Sequence, residues 1–145
     1  MYNFSIKIPV YKLTIHVKIA PEIKKVINDF AKRKKWKEVE LKEGEDVHGY
    51  AVSANDCINY YIFYDQASVT SNYITHEVSH ILDYILGEKD IEREGEARAY
   101  LTGHISEKIF DYVLRKNLFI SKYLPKKEEK PIIKTEEDEK PSGLL

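Results

Sequence analysis

The chain of 145 residues is long enough for one domain with a hydrophobic core of its own. Hydrophobic residues make up 43% and charged residues 32%, with a net charge of −1, which is typical of a globular domain and argues against a basic surface for nucleic acids or anionic membranes. The single cysteine, Cys57, excludes an internal disulfide and a multi-cysteine metal site. The sequence has neither the pattern of a secretory signal nor an apolar stretch of membrane-spanning length, so we expect a cytoplasmic protein without nucleic-acid or membrane partners.

The first half of the chain predicts strands on both sides of one helix. Residues 4–20 alternate apolar and polar side chains around Pro9, which indicates one bent strand or a two-stranded ribbon with the proline at a bend or an edge. Residues 21–36 carry apolar side chains at spacings of three and four and predict an amphipathic helix. Two strand-like stretches follow at residues 50–56 and 57–65, and the second is apolar on both faces, as in a covered strand.

The second half predicts two helices. Thr70 or Ser71 provides an N-cap for the first, and Gly87 is a natural residue to follow its end. The second runs from about residue 95 to about residue 117, because apolar residues recur there at every fourth position.

The composition changes at Pro125, after which the chain is charged, contains prolines and has no periodicity. This pattern predicts a disordered tail over residues 125–145 and a single domain over residues 1–124. The order of the elements within that domain predicts an α+β fold, in which a small sheet packs on helices.

The first of the two late helices carries two histidines with a glutamate between them. His76 and His80 are separated by about one turn and point the same way, so both imidazoles can bind one ion at about 2.0–2.1 Å. Glu77 lies beside the pair, where it can hold a metal-bound water. The apolar stripe of this helix is centred well away from the histidines, which are therefore not on the face that enters the core. The stripe consists of Ile74, Val78, Ile81, Leu82 and Ile85.

A zinc site with three protein ligands needs one further donor. Position 86 is Leu86 and not the histidine of metzincins, and the sequence around Cys57 does not resemble the cysteine motif of deformylases. A carboxylate from Glu92, Glu94 or Glu96 remains. Glu96 is favoured because the first turn of the following helix would hold it rigidly, and Glu94 stays open as the alternative.

The segments THEVSHILDYILG and GEARAYLTGHISEKI resemble the small HExxH metallopeptidases of bacteriophages and prophages, over about residues 57–115. Members of this family carry a glutamate a few residues before AYL, which here is Glu96, although Gly95 departs from the pattern and leaves Glu94 as a rival. The resemblance implies a minimal zincin-like domain of the glutamate-ligand (gluzincin-like) kind. It supplies no substrate.

Together these features predict a zinc-dependent metallopeptidase acting on a peptide or protein in a bacterial cell. Glu77 would be the general base toward a metal-activated water and would pass the proton to the leaving amine. Tyr100 and His104, one and two turns after Glu96, are candidates to stabilise the oxyanion. The alternative is a non-catalytic metal-binding or protein-interaction module of a phage or mobile element.

Substrate binding in such an enzyme uses an edge strand beside the cleft, which pairs with an extended peptide through backbone hydrogen bonds. We expect the strand at residues 57–65, directly before the HExxH helix, to take this place. His16 and His48 are assigned to surfaces without a role.

Overall fold

The computed structural model describes residues 1–92 and 95–120. The tail predicted at residues 125–145 and the candidate ligand Glu94 lie outside the described residues. In chain order the strands and helices are β1 (Tyr2–Ile8), β2 (Leu13–Ala20), α1 (Ile23–Lys34), β3 (Gly49–Ser53), β4 (Asn59–Asp65), α2 (Ser71–Glu88) and α3 (Glu96–Arg115).

The four strands form one mixed sheet in the order β1-β2-β4-β3. β1 and β2 are antiparallel and joined by a short 3-10 turn at Pro9–Tyr11, which confirms the two-stranded ribbon with Pro9 at its bend. β2 and β4 are parallel, whereas β3 and β4 are antiparallel. With three helices, this arrangement confirms the α+β class.

The two faces of the sheet contact different helices. Successive side chains of a strand point to opposite faces, so Tyr60, Ile62 and Tyr64 of β4 enter the larger core with α2 and α3. Phe63 enters a smaller core on the other face, where Phe30 of α1 packs against it. Both faces of β4 are therefore covered, as its continuous apolar sequence predicts.

Capping residues determine where helix α2 begins and ends. The Thr70 hydroxyl accepts a hydrogen bond from the Tyr73 backbone N–H at 3.3 Å, which confirms the first of the two predicted N-caps. The helix does not stop at Gly87 but continues to Glu88. Asp90 takes the left-handed conformation (φ 53°) that closes the helix, so the predicted end at a glycine is wrong by a few residues.

Helix α2 packs against β3 and β4 on one flank and against α3 on the other. The apolar stripe of α3, from Leu101 to Val113, is buried in the same core. At β1, the edge strand opposite β3, the rings of Phe4 and of Tyr112 in α3 stack with centroids 4.0 Å apart. In the described part of the chain, no helix combines the length and apolar character needed to cross a membrane.

Candidate functional site

The two histidines of the HExxH segment face each other on the exposed side of α2. The Nε2 atoms of His76 and His80 are 3.2 Å apart, and the two rings are nearly perpendicular at 83°. Two nitrogens bound to one tetrahedral zinc at about 2.0–2.1 Å would be separated by about 3.3 Å. The pair therefore fits a shared ion, and the prediction that both imidazoles point the same way is confirmed.

Glu77 is buried, although it lies between these exposed histidines in sequence. Only 5% of its surface is exposed, and its Oε1 is 4.0 Å from His76 Nε2. Its carboxylate accepts no hydrogen bond from any described residue. Burial raises the pKa of Glu77, while the neighbouring His76 acts in the opposite direction.

The space for the Glu77 side chain is provided by Gly49, the first residue of β3. A Cβ atom at Gly49 would lie 2.8 Å from Glu77 Cγ and 2.9 Å from Oε1, closer than nonbonded atoms pack. The glycine therefore allows the edge of the sheet to approach the HExxH helix directly above the carboxylate.

The expected third ligand is not brought to the histidines. Among residues 1–92 and 95–120, no three His, Cys, Asp or Glu side chains are close enough together to hold a metal ion. Glu96 is exposed at the first residue of α3. Arg98, in the same turn, contacts Asp83 at 3.3 Å. This contact joins the first turn of α3 to a residue of α2 that lies about one turn after His80.

The two candidates for oxyanion stabilisation contact each other. Tyr100 and His104 stack with ring centroids 5.7 Å apart, and Tyr100 is 57% exposed. Neither lines the depression that contains Glu77. Their role stays a prediction.

A depression of about 220 Å³ opens beside Glu77. Residues 46–50, which lead into β3, form one wall, and Tyr73, His76 and Glu77 of α2 form the other. The HExxH residues therefore border a space large enough for part of a ligand.

His48 lines this depression, although sequence reasoning gave it no role. Its Nδ1 lies 2.9 Å from the Ser68 hydroxyl, and its ring packs on Tyr73 with centroids 4.9 Å apart. No local spacing links His48 to the HExxH segment, because the two come together only through packing of the sheet edge on α2. The glycine that follows His48 is the one hint in the sequence, since an isolated glycine in a strand often marks a close approach.

The edge strand beside α2 is β3 and not the predicted β4, which lies between β2 and β3. His48 and Ala54, on either side of β3, form main-chain hydrogen bonds with β4. These bonds show which residues of β3 direct their backbone groups toward β4 and which direct them away from it. Gly49, Ala51 and Ser53 therefore turn their backbone N–H and C=O groups away from β4. No other described strand pairs with this edge.

Buried hydroxyl groups attach α2 to the sheet at both ends. The Glu88 carboxylate accepts hydrogen bonds from Ser53 Oγ at 2.5 Å and from Tyr60 Oη at 2.6 Å. Near the start of the helix, Tyr64 Oη donates to the Ile74 carbonyl at 3.1 Å. The HExxH segment lies between these two attachments, so its position relative to β3 is fixed from both sides.

No protein-family model matches the chain, and no match was found among curated proteins or solved structures. The fold and site define an α+β domain with an HExxH helix packed against the free edge of a four-stranded sheet.

Proposed function

We propose that the protein is a zinc-dependent metallopeptidase. The observation that carries the proposal is the 3.2 Å separation of His76 and His80 Nε2 beside a buried Glu77 carboxylate. Paired surface histidines have no structural need for a buried acid next to them. A nearly buried carboxyl group is in turn costly to ionise, and such groups concentrate at functional sites.

His76 and His80 would hold the zinc. The phage-type resemblance implies Glu96 or Glu94 as a third ligand, and Glu96 would have to move toward the histidines to bind. Bound zinc would polarise the peptide carbonyl and lower the pKa of a water molecule. Glu77 would accept a proton from the attacking water and deliver it to the leaving amine. Its raised pKa favours this exchange, because a carboxyl group that is too acidic holds a proton too weakly to pass it on.

The free edge of β3 would hold the peptide. Gly49 and Ala51 present unpaired backbone groups there, and an extended chain can add to such an edge as a further strand. Because Gly49 contacts the Glu77 side chain, a peptide paired with this edge would pass the carboxylate. The substrate would accordingly be an extended peptide or an unfolded segment of a protein, and the phage-type resemblance suggests a bacterial cytoplasm as the place of action.

Glu77→Gln tests the proposal, since it keeps the shape of the side chain and removes the base. We expect the wild-type protein and the variant to bind one zinc per chain, as measured by metal analysis after dialysis. The wild-type protein should cleave members of a peptide library, and the variant should be about 10²–10⁴-fold slower. His76→Ala should lose the metal, whereas Asp111→Asn, at an exposed position on α3, serves as a control that keeps both properties.

A non-catalytic metal-binding module is the second candidate. It needs only an ion held by His76 and His80, and the described residues bring no third ligand to that pair. This candidate also predicts that zinc binds and raises the melting temperature, but the wild-type protein should then cleave no peptide in the library. Hydrolysis by the wild-type protein that survives in Glu77→Gln would contradict the proposed role of the carboxylate.

A further inference from the structure

The depression beside Glu77 is acidic. Apart from the histidines and tyrosines, the ionisable side chains that line it are Asp46 and Glu77, and no lysine or arginine within residues 1–92 and 95–120 contributes to its walls. Asp46 is at the mouth, where its side chain is 91% exposed. The depression therefore offers carboxylates to a ligand, and no lysine or arginine of the described residues competes with that ligand.

Tyr50, one of the tyrosines of the lining, responds to acidic groups. Burial raises the pKa of the Tyr50 hydroxyl, and the charges of Tyr84, Glu38, Glu45 and Glu77 raise it further. A cation that enters this space is attracted by the carboxylates of Asp46 and Glu77, which line it.

Aromatic rings form part of the same walls. Tyr50 and Tyr73 both line the depression, and the ring of His48 is held against Tyr73 by packing and by its contact with Ser68. The methylene stem of a lysine or arginine packs well along aromatic rings, and its cationic head is attracted to their faces. Asp46 lies 3.8 Å from His48 Nε2, so a carboxylate is available at the end of this surface.

Glu77 provides an independent indication that a ligand enters the depression. Its side chain is more than nine-tenths buried, it borders this space, and it accepts no hydrogen bond from the described residues. A nearly buried carboxylate without a hydrogen bond from the described residues can accept one from water or from a ligand that enters this space.

We propose that this depression is a subsite for a lysine or arginine side chain of the peptide substrate, next to the bond that is cleaved, with Asp46 as the specificity-determining residue. The inference rests on the proposed peptidase function and names its substrate class. Asp46 pairs with the cationic head, and the rings of Tyr50 and Tyr73 hold the stem. Glu77 stays available for the proton transfer, because Asp46 lies at the mouth and takes the charge there.

The test uses pentapeptides blocked at both ends, Ala-Ala-X-Ala-Ala, where X is arginine, lysine, glutamine, leucine or glutamate. For the wild-type protein with zinc, kcat/KM for arginine and lysine should exceed that for glutamine by about tenfold, as expected for one ion pair with a cation–π contact. Asp46→Asn should remove most of this preference, and Asp46→Lys should shift it toward glutamate. Because Asp46 is almost fully exposed, neither variant should affect folding. Asp111→Asn is the matched control and should keep the preference.

A binding measurement makes the result independent of hydrolysis. The arginine peptide should shift the NMR signals of the 46–50 backbone and of Tyr73 in the wild-type protein, whereas the glutamine peptide should not. Cleavage with equal rates for arginine and glutamine would overturn the subsite and leave the peptidase function standing. Binding of the arginine peptide at these residues without any cleavage would support the subsite as a binding site for basic peptides and overturn the peptidase function. Neither binding nor cleavage would overturn both.

Discussion

Gly49 and Glu77 show how a single contact determines the site at the level of residues. The carboxylate is buried because a strand passes close above it, and the strand passes close because it begins with a glycine. Burial without a hydrogen-bond partner raises the pKa of Glu77 and costs stability at neutral pH. A residue that makes the fold less stable, beside a pair of histidines, is characteristic of a functional site.

Gly49→Ala should therefore damage the site more than the fold. The new Cβ would lie 2.8 Å from Glu77 Cγ, so the carboxylate would have to move. We expect a loss of stability of about 1–3 kcal/mol from overpacking and a loss of about 10²-fold in peptide hydrolysis from displacement of the base. Zinc binding should be kept, because the three atoms nearest the new Cβ all belong to Glu77 and not to a histidine. Chemical denaturation, metal analysis and peptide kinetics measure the three quantities.

Gly103→Ala provides the matched control. A Cβ at Gly103 in α3 meets no atom within 4 Å, so this substitution adds a methyl group without a contact. It should stabilise the protein by about 0.5–1 kcal/mol through helix propensity and leave hydrolysis unchanged. If Gly49→Ala behaves in the same way as Gly103→Ala, the close approach of β3 to Glu77 does not matter for the reaction.

The sequence predicts the histidine pair but not the surroundings of the glutamate. His76 and His80 are neighbours on any helix, so their spacing alone places their Nε2 atoms within reach of one ion. The burial of Glu77 depends on Gly49, and the lining of the depression depends on His48, both of which come from another element. Contacts between elements leave no periodic signal, and for this reason they were missed.

At the level of elements, alternation and helical periodicity predicted every strand and helix that positions the site. The order in which the strands pair was harder to predict from the sequence. β4 was expected at the edge because it directly precedes α2, but its apolar residues on both faces are those of an interior strand, and β3 takes the edge instead. Glu96 at the start of α3 was likewise expected beside the histidines, but the described residues bring no third ligand to them.

The attachment of α2 to the sheet is a second feature that no spacing indicates. Glu88 accepts hydrogen bonds from Ser53 and Tyr60, which belong to β3 and β4. Tyr60→Phe removes one of these bonds at a fully buried position. It should lower the free energy of unfolding at neutral pH by about 1.5–3 kcal/mol, the range for a hydrogen bond to a charged group. Urea denaturation measures this loss.

Tyr61→Phe is the control for this prediction. Tyr61 is the next residue of β4, points to the opposite face and donates no side-chain hydrogen bond to a described residue. Its substitution should change stability by less than about 0.5 kcal/mol. Ser53→Ala combined with Tyr60→Phe should cost less than the sum of the single losses if both hydroxyls act on the same carboxylate. Strict additivity would show that Glu88 does not couple them.

On the scale of the whole molecule, the larger core contains two tyrosines whose hydroxyl groups hold α2 in place. Burial raises the pKa of Tyr60 far above its usual value, with further contributions from the hydrogen bond to Glu88 and from its charge. Burial also raises the pKa of Tyr64 well above the usual value, and the charge of Glu77 adds to this effect. Both hydroxyls are therefore protonated in the folded protein under conditions in which they ionise in the unfolded chain.

This difference predicts that the protein is destabilised by alkali in a particular pH range. A group whose pKa is raised by folding gives its full stabilisation below the pKa of the unfolded state, which is about 10 for tyrosine. Above about pH 10 the unfolded chain loses protons that the folded protein keeps, so stability should fall by up to about 1.4 kcal/mol per pH unit for each tyrosine.

The double variant Tyr60→Phe/Tyr64→Phe isolates this contribution. It should be less stable than the wild-type protein at pH 8, because two buried hydrogen bonds are lost. Its free energy of unfolding should nevertheless decline less steeply between about pH 10 and 11.5, so that the two curves converge as the pH rises. Urea denaturation at a series of pH values, without metal, measures both curves. Parallel curves over this range would mean that the two hydroxyls titrate alike in the folded and unfolded chains, and the attachment of α2 through protonated tyrosines would then be wrong.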